Sequence, residues 1–199
     1  MKFLLRQLCP MSLIVIPLAF LVSGCQRGSE TFMPMRPQRS WTYLVRNAKQ
    51  STVETMQVVR VDSVAHQSGF LLQGGGSETR LAWSKGILLA QELTNTWYSP
   101  PMPILDTRTK KSILAWQGKI KSPLFEIDAR ASITTKPEIL NVGGKRIPTL
   151  HSQITINVPS AHQLVTISTW FESRIGIVRQ EERVNSIQTS AVELLSGPT

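Results

Sequence analysis

Two cysteines are the only thiols in the 199-residue chain, and their surroundings differ. Cys9 lies inside an apolar run from Leu8 to Val22, whereas Cys25 follows that run directly after two small residues, Ser23 and Gly24. A thiolate is a soft and strong nucleophile, so a cysteine at this boundary is suited to accept an alkyl group. If the chain is cut ahead of Cys25, that thiol is the only one left, and an internal disulfide cannot form.

Other chemistry has few candidate residues. The histidines are His66, His151 and His162, and none has a second histidine or a carboxylate at metal-ligand spacing. No G-x-S-x-G nucleophile motif occurs, and the glycines at 74–76 lack the lysine and hydroxyl residue of a phosphate loop. His151 and His162 could face each other across a hairpin, where a surface pair is the preferred interpretation and a tethered hydrolase the alternative. We therefore expect no catalytic residue, no metal and no cofactor, and a protein that is not an enzyme.

The first residues have the pattern of an export signal. Lys2 and Arg6 are followed by the 15 apolar residues Leu8–Val22, fewer than the roughly 20 that span a bilayer as a helix. Pro10 and Pro17 would interrupt a permanent span. A basic start, a short apolar centre and small residues at its end predict a signal helix that is removed on export.

The end of this signal resembles a bacterial lipobox, carried by Val22-Ser23-Gly24-Cys25. The resemblance implies cleavage by lipoprotein signal peptidase before Cys25, which then carries a diacylglyceryl thioether and a fatty acyl chain such as palmitate on its amine. Gln26 follows, and under the lipoprotein sorting pattern a residue other than aspartate implies the outer membrane, facing the periplasm. The predicted organisation is a signal peptide at 1–24, a flexible tether at 25–40 and one β-domain at 41–199.

The mature chain would be basic. Without Lys2 and Arg6 it has 20 basic and 13 acidic residues, a net charge of about +7. The densest group is Arg108-Thr-Lys-Lys111, with Lys119 and Lys121 nearby in sequence. Contact with anionic lipid head groups or lipopolysaccharide is one interpretation, and a solvated surface is the preferred one. Export from the cytoplasm argues against nucleic acid as a partner.

The body of the chain consists of short β-rich runs separated by turn residues. We predict ten strands, at 41–47, 52–64, 69–74, 79–84, 86–93, 112–120, 125–134, 145–159, 162–173 and 176–187. Three prolines between Tyr98 and Ile104 predict an irregular loop, because proline removes ladder donors from a central strand. The predicted fold is mainly β, a curved antiparallel sheet in meander order that forms an open or incomplete, clam-like barrel.

Three landmarks along the domain support a broader resemblance: Trp41-Thr42-Tyr43, Trp116-Gln117-Gly118, and Thr169-Trp170-Phe171 followed by Gly176-Ile177-Val178-Arg179. This series is similar to a class of uncharacterised bacterial lipoproteins related in fold to the curved sheets of the LolA and LolB lipoprotein carriers. The landmarks are architectural, so the resemblance implies fold more than function. No motif matches the lipid-binding residues of the carriers.

Aromatic residues supply the candidate binding site. One interpretation is that five aromatic side chains line a concave apolar cavity for lipid: Trp97 and Tyr98 beside the proline loop, with Trp83, Trp116 and Trp170. The preferred interpretation is that these side chains fill the core. We expect a lipid-anchored envelope protein that binds acyl chains or lipoproteins, with the membrane as partner through the N-terminal lipid. A structural or assembly lipoprotein that acts through protein contacts is the alternative function.

Overall fold

A computed structural model describes residues 30–199 of the chain. The predicted signal helix, the cleavage residues Val22, Ser23 and Gly24, and the acylated Cys25 lie outside the described residues and stay predictions. In the described part of the chain, no helix is long and apolar enough to cross a bilayer.

Twelve antiparallel strands make up the domain. They are β1 (Ser40–Asn47), β2 (Ser51–Val64), β3 (Gln67–Gly74), β4 (Ser77–Ser84), β5 (Ile87–Leu93), β6 (Thr96–Asp106), β7 (Ser112–Lys121), β8 (Glu126–Val142), β9 (Lys145–Val158), β10 (Gln163–Glu172), β11 (Gly176–Val184) and β12 (Ile187–Ser196). Short 3-10 turns lie at Glu30–Phe32 and Pro159–Ala161. Each strand pairs with its neighbour in sequence, and β1 pairs with β12. The result is a closed barrel.

The prediction of a mainly β, antiparallel meander is confirmed, and the prediction of an open or incomplete barrel is wrong. Closure comes from β12, which was not predicted, because the last predicted strand ended at Ile187. Asn185 and Ser186 form the turn between them with positive φ angles of 48° and 71°, a conformation usually marked by glycine. Pairing of β12 with β1 satisfies the two strand edges that an open sheet would leave unpaired.

The predicted proline loop is also wrong, because its residues belong to β6. Pro100 and Pro101 fall in the gap of the β5–β6 ladder between the pairs Ala90–Met102 and Glu92–Trp97. On the other side, β6 pairs with β7 only through residues 97–99. Pro100 and Pro101 therefore occupy positions where no ladder donor is needed.

Trp116 and Gly118 join β6 to β7 where that ladder stops. The indole Nε1 of Trp116 donates to the carbonyl of Pro100 at 2.9 Å. A Cβ on Gly118 would overlap the Ser99 carbonyl oxygen and lie 2.9 Å from Pro100 Cδ. The Trp-x-Gly landmark is therefore explained by close packing of two strands.

We expect Gly118→Ala to lower the free energy of unfolding by about 1–3 kcal/mol, because the added methyl group meets backbone atoms that cannot move independently. Thermal unfolding followed by circular dichroism measures the loss. Replacing the exposed neighbour Gln117 by alanine is the matched control. Equal melting temperatures for the two variants would contradict the packing account.

The core fills the barrel and includes part of the N-terminal segment. The alternation predicted for β8 is confirmed, since Ala129, Ala131 and Ile133 are buried. Met33 and Met35, which lie in the predicted tether, are buried in the same core cluster. Contact of residues 31–39 with the barrel was not anticipated from the sequence, and it creates the site described next.

Candidate functional site

The hairpin connections alternate between the two ends of the barrel. The end at which β1 begins is called the proximal end. It carries residues 30–39 and the connections at 65–66, 85–86, 107–111, 143–144 and 173–175. The distal end carries the connections at 48–50, 75–76, 94–95, 122–125, 159–162 and 185–186.

Residues 31–39 are held against the proximal end by hydrogen bonds at several points. The amide of Arg174, in the β10–β11 turn, donates to the carbonyl of Thr31 at 2.6 Å. On the other side of the barrel, the indole of Trp83 donates to the carbonyl of Met33 at 3.3 Å. Met33 is fully buried. The segment is therefore part of the folded domain.

A cleft of about 710 Å³ lies between this segment and the barrel; we call it the proximal cleft. Its apolar lining consists of Met33, Pro34, Met35, Phe70 and Trp83, and its polar lining consists of Thr31, Arg36, Arg39, Ser68 and Arg174. Strand alternation accounts for the barrel wall, because Phe70 and Trp83 face the interior on adjacent strands and pack against the core. The volume lies within the range of roughly 300–1,000 Å³ that small-molecule sites occupy.

The three arginines of the proximal cleft have no carboxylate partner within residues 31–199. Among the side chains of residues 31–199, no salt bridge is formed by Arg36, Arg39 or Arg174, although Arg39 donates to the Pro34 carbonyl at 3.3 Å. Guanidinium groups form bidentate hydrogen bonds with phosphate and carboxylate groups. The lining therefore has the chemical groups to hold an anion beside an apolar group.

A second groove, of about 370 Å³, lies on the outer face of β9–β11. Its arginines are already paired, since Arg179 and Arg183 both bind Glu181. Both broad faces of the Trp170 ring are covered, by His151 at 4.5 Å and by Arg179 at 5.6 Å. The arginines of this groove are therefore less available to a ligand than those of the proximal cleft.

The structure does not bring the five predicted aromatic residues together. Trp83 lines the proximal cleft, whereas Tyr98 and Trp116 lie edge-to-face in the core with ring centroids 6.0 Å apart. Trp97 and Trp170 are on the opposite face of the sheet. Because 96–106 is a strand, Trp97 and Tyr98 point to opposite faces and cannot form one cavity mouth.

The histidines do not converge either. His151 pairs across the ladder with Trp170, and His162 lies in the exposed distal turn between β9 and β10. The Nδ1 atom of His151 is 3.0 Å from Glu138 Oε2. Burial lowers the pKa of His151, although the Glu138 carboxylate opposes this shift. β9 and β10 do form a hairpin, but His151 and His162 do not face each other across it.

The sequence interpretation missed most of the proximal cleft, namely Met33, Met35, Arg36, Arg39, Phe70 and Arg174. One usable signal was present, because Phe32, Met33 and Met35 place apolar side chains in a stretch otherwise typical of a spacer.

No protein-family description and no curated protein matches the chain. Among solved structures, it is similar to a protein from Parabacteroides distasonis inferred to be a lipoprotein, with 14% identity and a TM-score of 0.48 over 82% of this chain and 96% of the other. It is similar to a protein from Bacteroides fragilis inferred to be exported and to have a YmcC-like fold, with 13% identity and a TM-score of 0.43 over 80% and 94% of the two chains. The hypothetical lipoprotein YmcC from Escherichia coli is 13% identical, with a TM-score of 0.44 over 83% of this chain and 90% of that one.

Proposed function

We propose that this protein is an exported lipoprotein without enzymatic activity, anchored through Cys25 in the outer membrane and facing the periplasm, that binds an anionic amphiphile in the proximal cleft. The observation that carries the proposal is a set of three arginines beside an apolar wall, none of which forms a salt bridge with the side chains of residues 31–199. The export signal and the lipobox resemblance at Val22–Cys25 support the location.

The ligand class follows from the two kinds of lining. An acyl chain would lie against Met35, Phe70 and Trp83, where each methylene removed from water contributes about 0.8 kcal/mol. A phosphate or carboxylate head group would accept hydrogen bonds from the guanidinium groups of Arg36, Arg39 and Arg174. Of the five aromatic residues considered from the sequence, Trp83 lines this site, which holds both ends of an amphiphile.

The test is the lipid content of the acylated protein, purified in non-ionic detergent, transferred to amphipol and examined by native mass spectrometry and lipid extraction. We expect an anionic amphiphile on the wild-type protein. Occupancy should fall by roughly 100-fold or more in the triple variant Arg36→Gln, Arg39→Gln, Arg174→Gln, because three charge-assisted hydrogen-bonding groups are lost.

The matched control removes three arginines elsewhere on the barrel, Arg60, Arg130 and Arg183, by the same replacement. It should retain the amphiphile. A wild-type protein without bound lipid, or equal occupancy in the two triple variants, would refute the proposed function.

A second candidate function is assembly through protein contacts at the distal end. Leu124 is 92% exposed, Ile187 is 73% exposed, and Phe125 lies beside Leu124 in the same connection. Exposed apolar side chains on hairpin tips are suited to a protein partner. An envelope protein that co-purifies with the wild type but not with Leu124→Ser, Phe125→Ser would favour this candidate.

A further inference from the structure

The two ends of the barrel differ sharply in charge. Seven basic residues lie in the proximal segment and connections: Arg36, Arg39, Lys85, Arg108, Lys110, Lys111 and Arg174. The distal connections contain one, Lys49. Basic residues that look scattered along the sequence are therefore gathered at one end by the hairpin topology.

Most of this proximal charge is free. Arg108 forms two hydrogen bonds with the buried Asp106, at 2.9 and 2.8 Å, and these hold the pKa of that carboxyl below its usual range. The other six basic residues have no carboxylate within ion-pair distance among the side chains of residues 31–199. A role in solubility alone would not require them to be concentrated at one end.

Chain length adds a second, independent constraint. Residues 31–39 are docked on the proximal end, so only five residues, 26–30, lie between Cys25 and the docked segment. A fully extended chain of that length reaches at most about 18 Å. With Cys25 acylated, the proximal end cannot move farther than this from the surface of its own bilayer.

From the charge and the tether together, we propose that the proximal end docks on the anionic leaflet that holds the acyl chains of Cys25, with the distal end pointing away. The anchor on which this rests is the one in the proposed function. Juxtamembrane basic residues are attracted to anionic leaflets, and this attraction decays within a Debye length of the surface. The proximal cleft then opens onto the leaflet, so its ligand is an anionic lipid taken from that leaflet.

The orientation can be measured on the acylated protein in nanodiscs that contain phosphatidylglycerol. A fluorophore is attached to Asn141→Cys, at the proximal end but outside the cleft, or to Ser160→Cys in the distal turn. Lipids carrying a nitroxide on the head group should quench the proximal fluorophore several-fold more than the distal one. Equal quenching at the two positions would overturn the proposal.

A second set of variants distinguishes the contribution of the basic residues from that of the short tether. Inserting twelve Gly and Ser residues after Gly28 lengthens the tether, and proximal quenching should persist in phosphatidylglycerol but fall in phosphatidylcholine. Adding Lys85→Gln, Lys110→Gln, Lys111→Gln to the long-tether protein should lower the docked-to-undocked ratio by roughly 100-fold, at about fivefold per residue. The distal triple Lys49→Gln, Lys119→Gln, Lys121→Gln is the control and should leave quenching unchanged; equal effects of the two triples would overturn the proposal.

The outcome is independent of the ligand assay. None of the three proximal lysines lines the cleft, so their replacement should leave the amphiphile content unchanged. A protein that docks but carries no amphiphile would refute the proposed function and leave the orientation standing. A protein that carries the amphiphile but shows no preferred end would refute the orientation alone.

Discussion

Replacing Arg80 by alanine should lower the free energy of unfolding by about 3–5 kcal/mol, because it leaves a buried carboxylate without its partner. Arg80 binds Glu92, which is 4% exposed, through its Nη1 atom. It also binds Glu78 at 2.8 Å and Asp62 at 3.2 Å, and its guanidinium lies 5.0 Å from the Trp97 ring. One guanidinium therefore bridges three carboxylates on the outer face of β2–β6.

Urea denaturation followed by circular dichroism measures this loss, and Arg183→Ala is the control. Arg183 is an exposed partner of Glu181 at 3.3 Å, so its removal should change stability by less than about 1 kcal/mol. The double variant Arg80→Ala, Glu92→Gln should recover part of the loss, because the unpaired buried charge is gone. Equal losses for Arg80→Ala and Arg183→Ala would contradict the assignment of Arg80 as a structural cation.

Strand positions were readable from the sequence wherever alternation and glycine turns agreed. The turn at Gly143 and Gly144 has positive φ at both residues and joins β8 to β9 as predicted. The turns at Thr94-Asn95 and Asn185-Ser186 adopt the same φ region without glycine. Their signal is weak, and the second one concealed β12 and hence the closure of the barrel.

The site was harder to predict because it depends on long-range pairing. The positions of Arg36 and Arg174 are 138 residues apart in sequence, and nothing local indicates that they share a cleft. The predicted aromatic site failed for a local reason. Because the prolines between Tyr98 and Ile104 led to the prediction of an irregular loop, the opposite orientation of Trp97 and Tyr98 in a strand could not be inferred.

Trp41 links the N-terminal segment to the barrel and is the other residue whose loss should be severe. Its side chain is fully buried, and its Nε1 atom donates to the Ile175 carbonyl at 2.6 Å. A Cβ on Gly176 would lie 3.2 Å from Met33 Sδ and 3.3 Å from Trp41 Nε1, so the three residues are in close contact. The same indole therefore supports β1, the β10–β11 turn and the segment that forms the proximal cleft.

Trp41→Ala should lower the free energy of unfolding by about 3–5 kcal/mol through the cavity it creates, and Trp41→Phe by about 1–2 kcal/mol through the lost hydrogen bond and smaller ring. Trp97→Ala is the matched control, since Trp97 is 39% exposed. Apart from the lost contact with Arg80, this replacement should lower the free energy of unfolding by less than about 1 kcal/mol. Urea denaturation followed by circular dichroism gives all three values.

Because Met33 packs beside Trp41, Trp41→Phe should also reduce amphiphile occupancy of the proximal cleft, which Trp97→Ala should leave unchanged. Equal destabilisation by Trp41→Ala and Trp97→Ala would show that the N-terminal segment is not held by this indole, and the short tether inferred from its docking would then no longer follow.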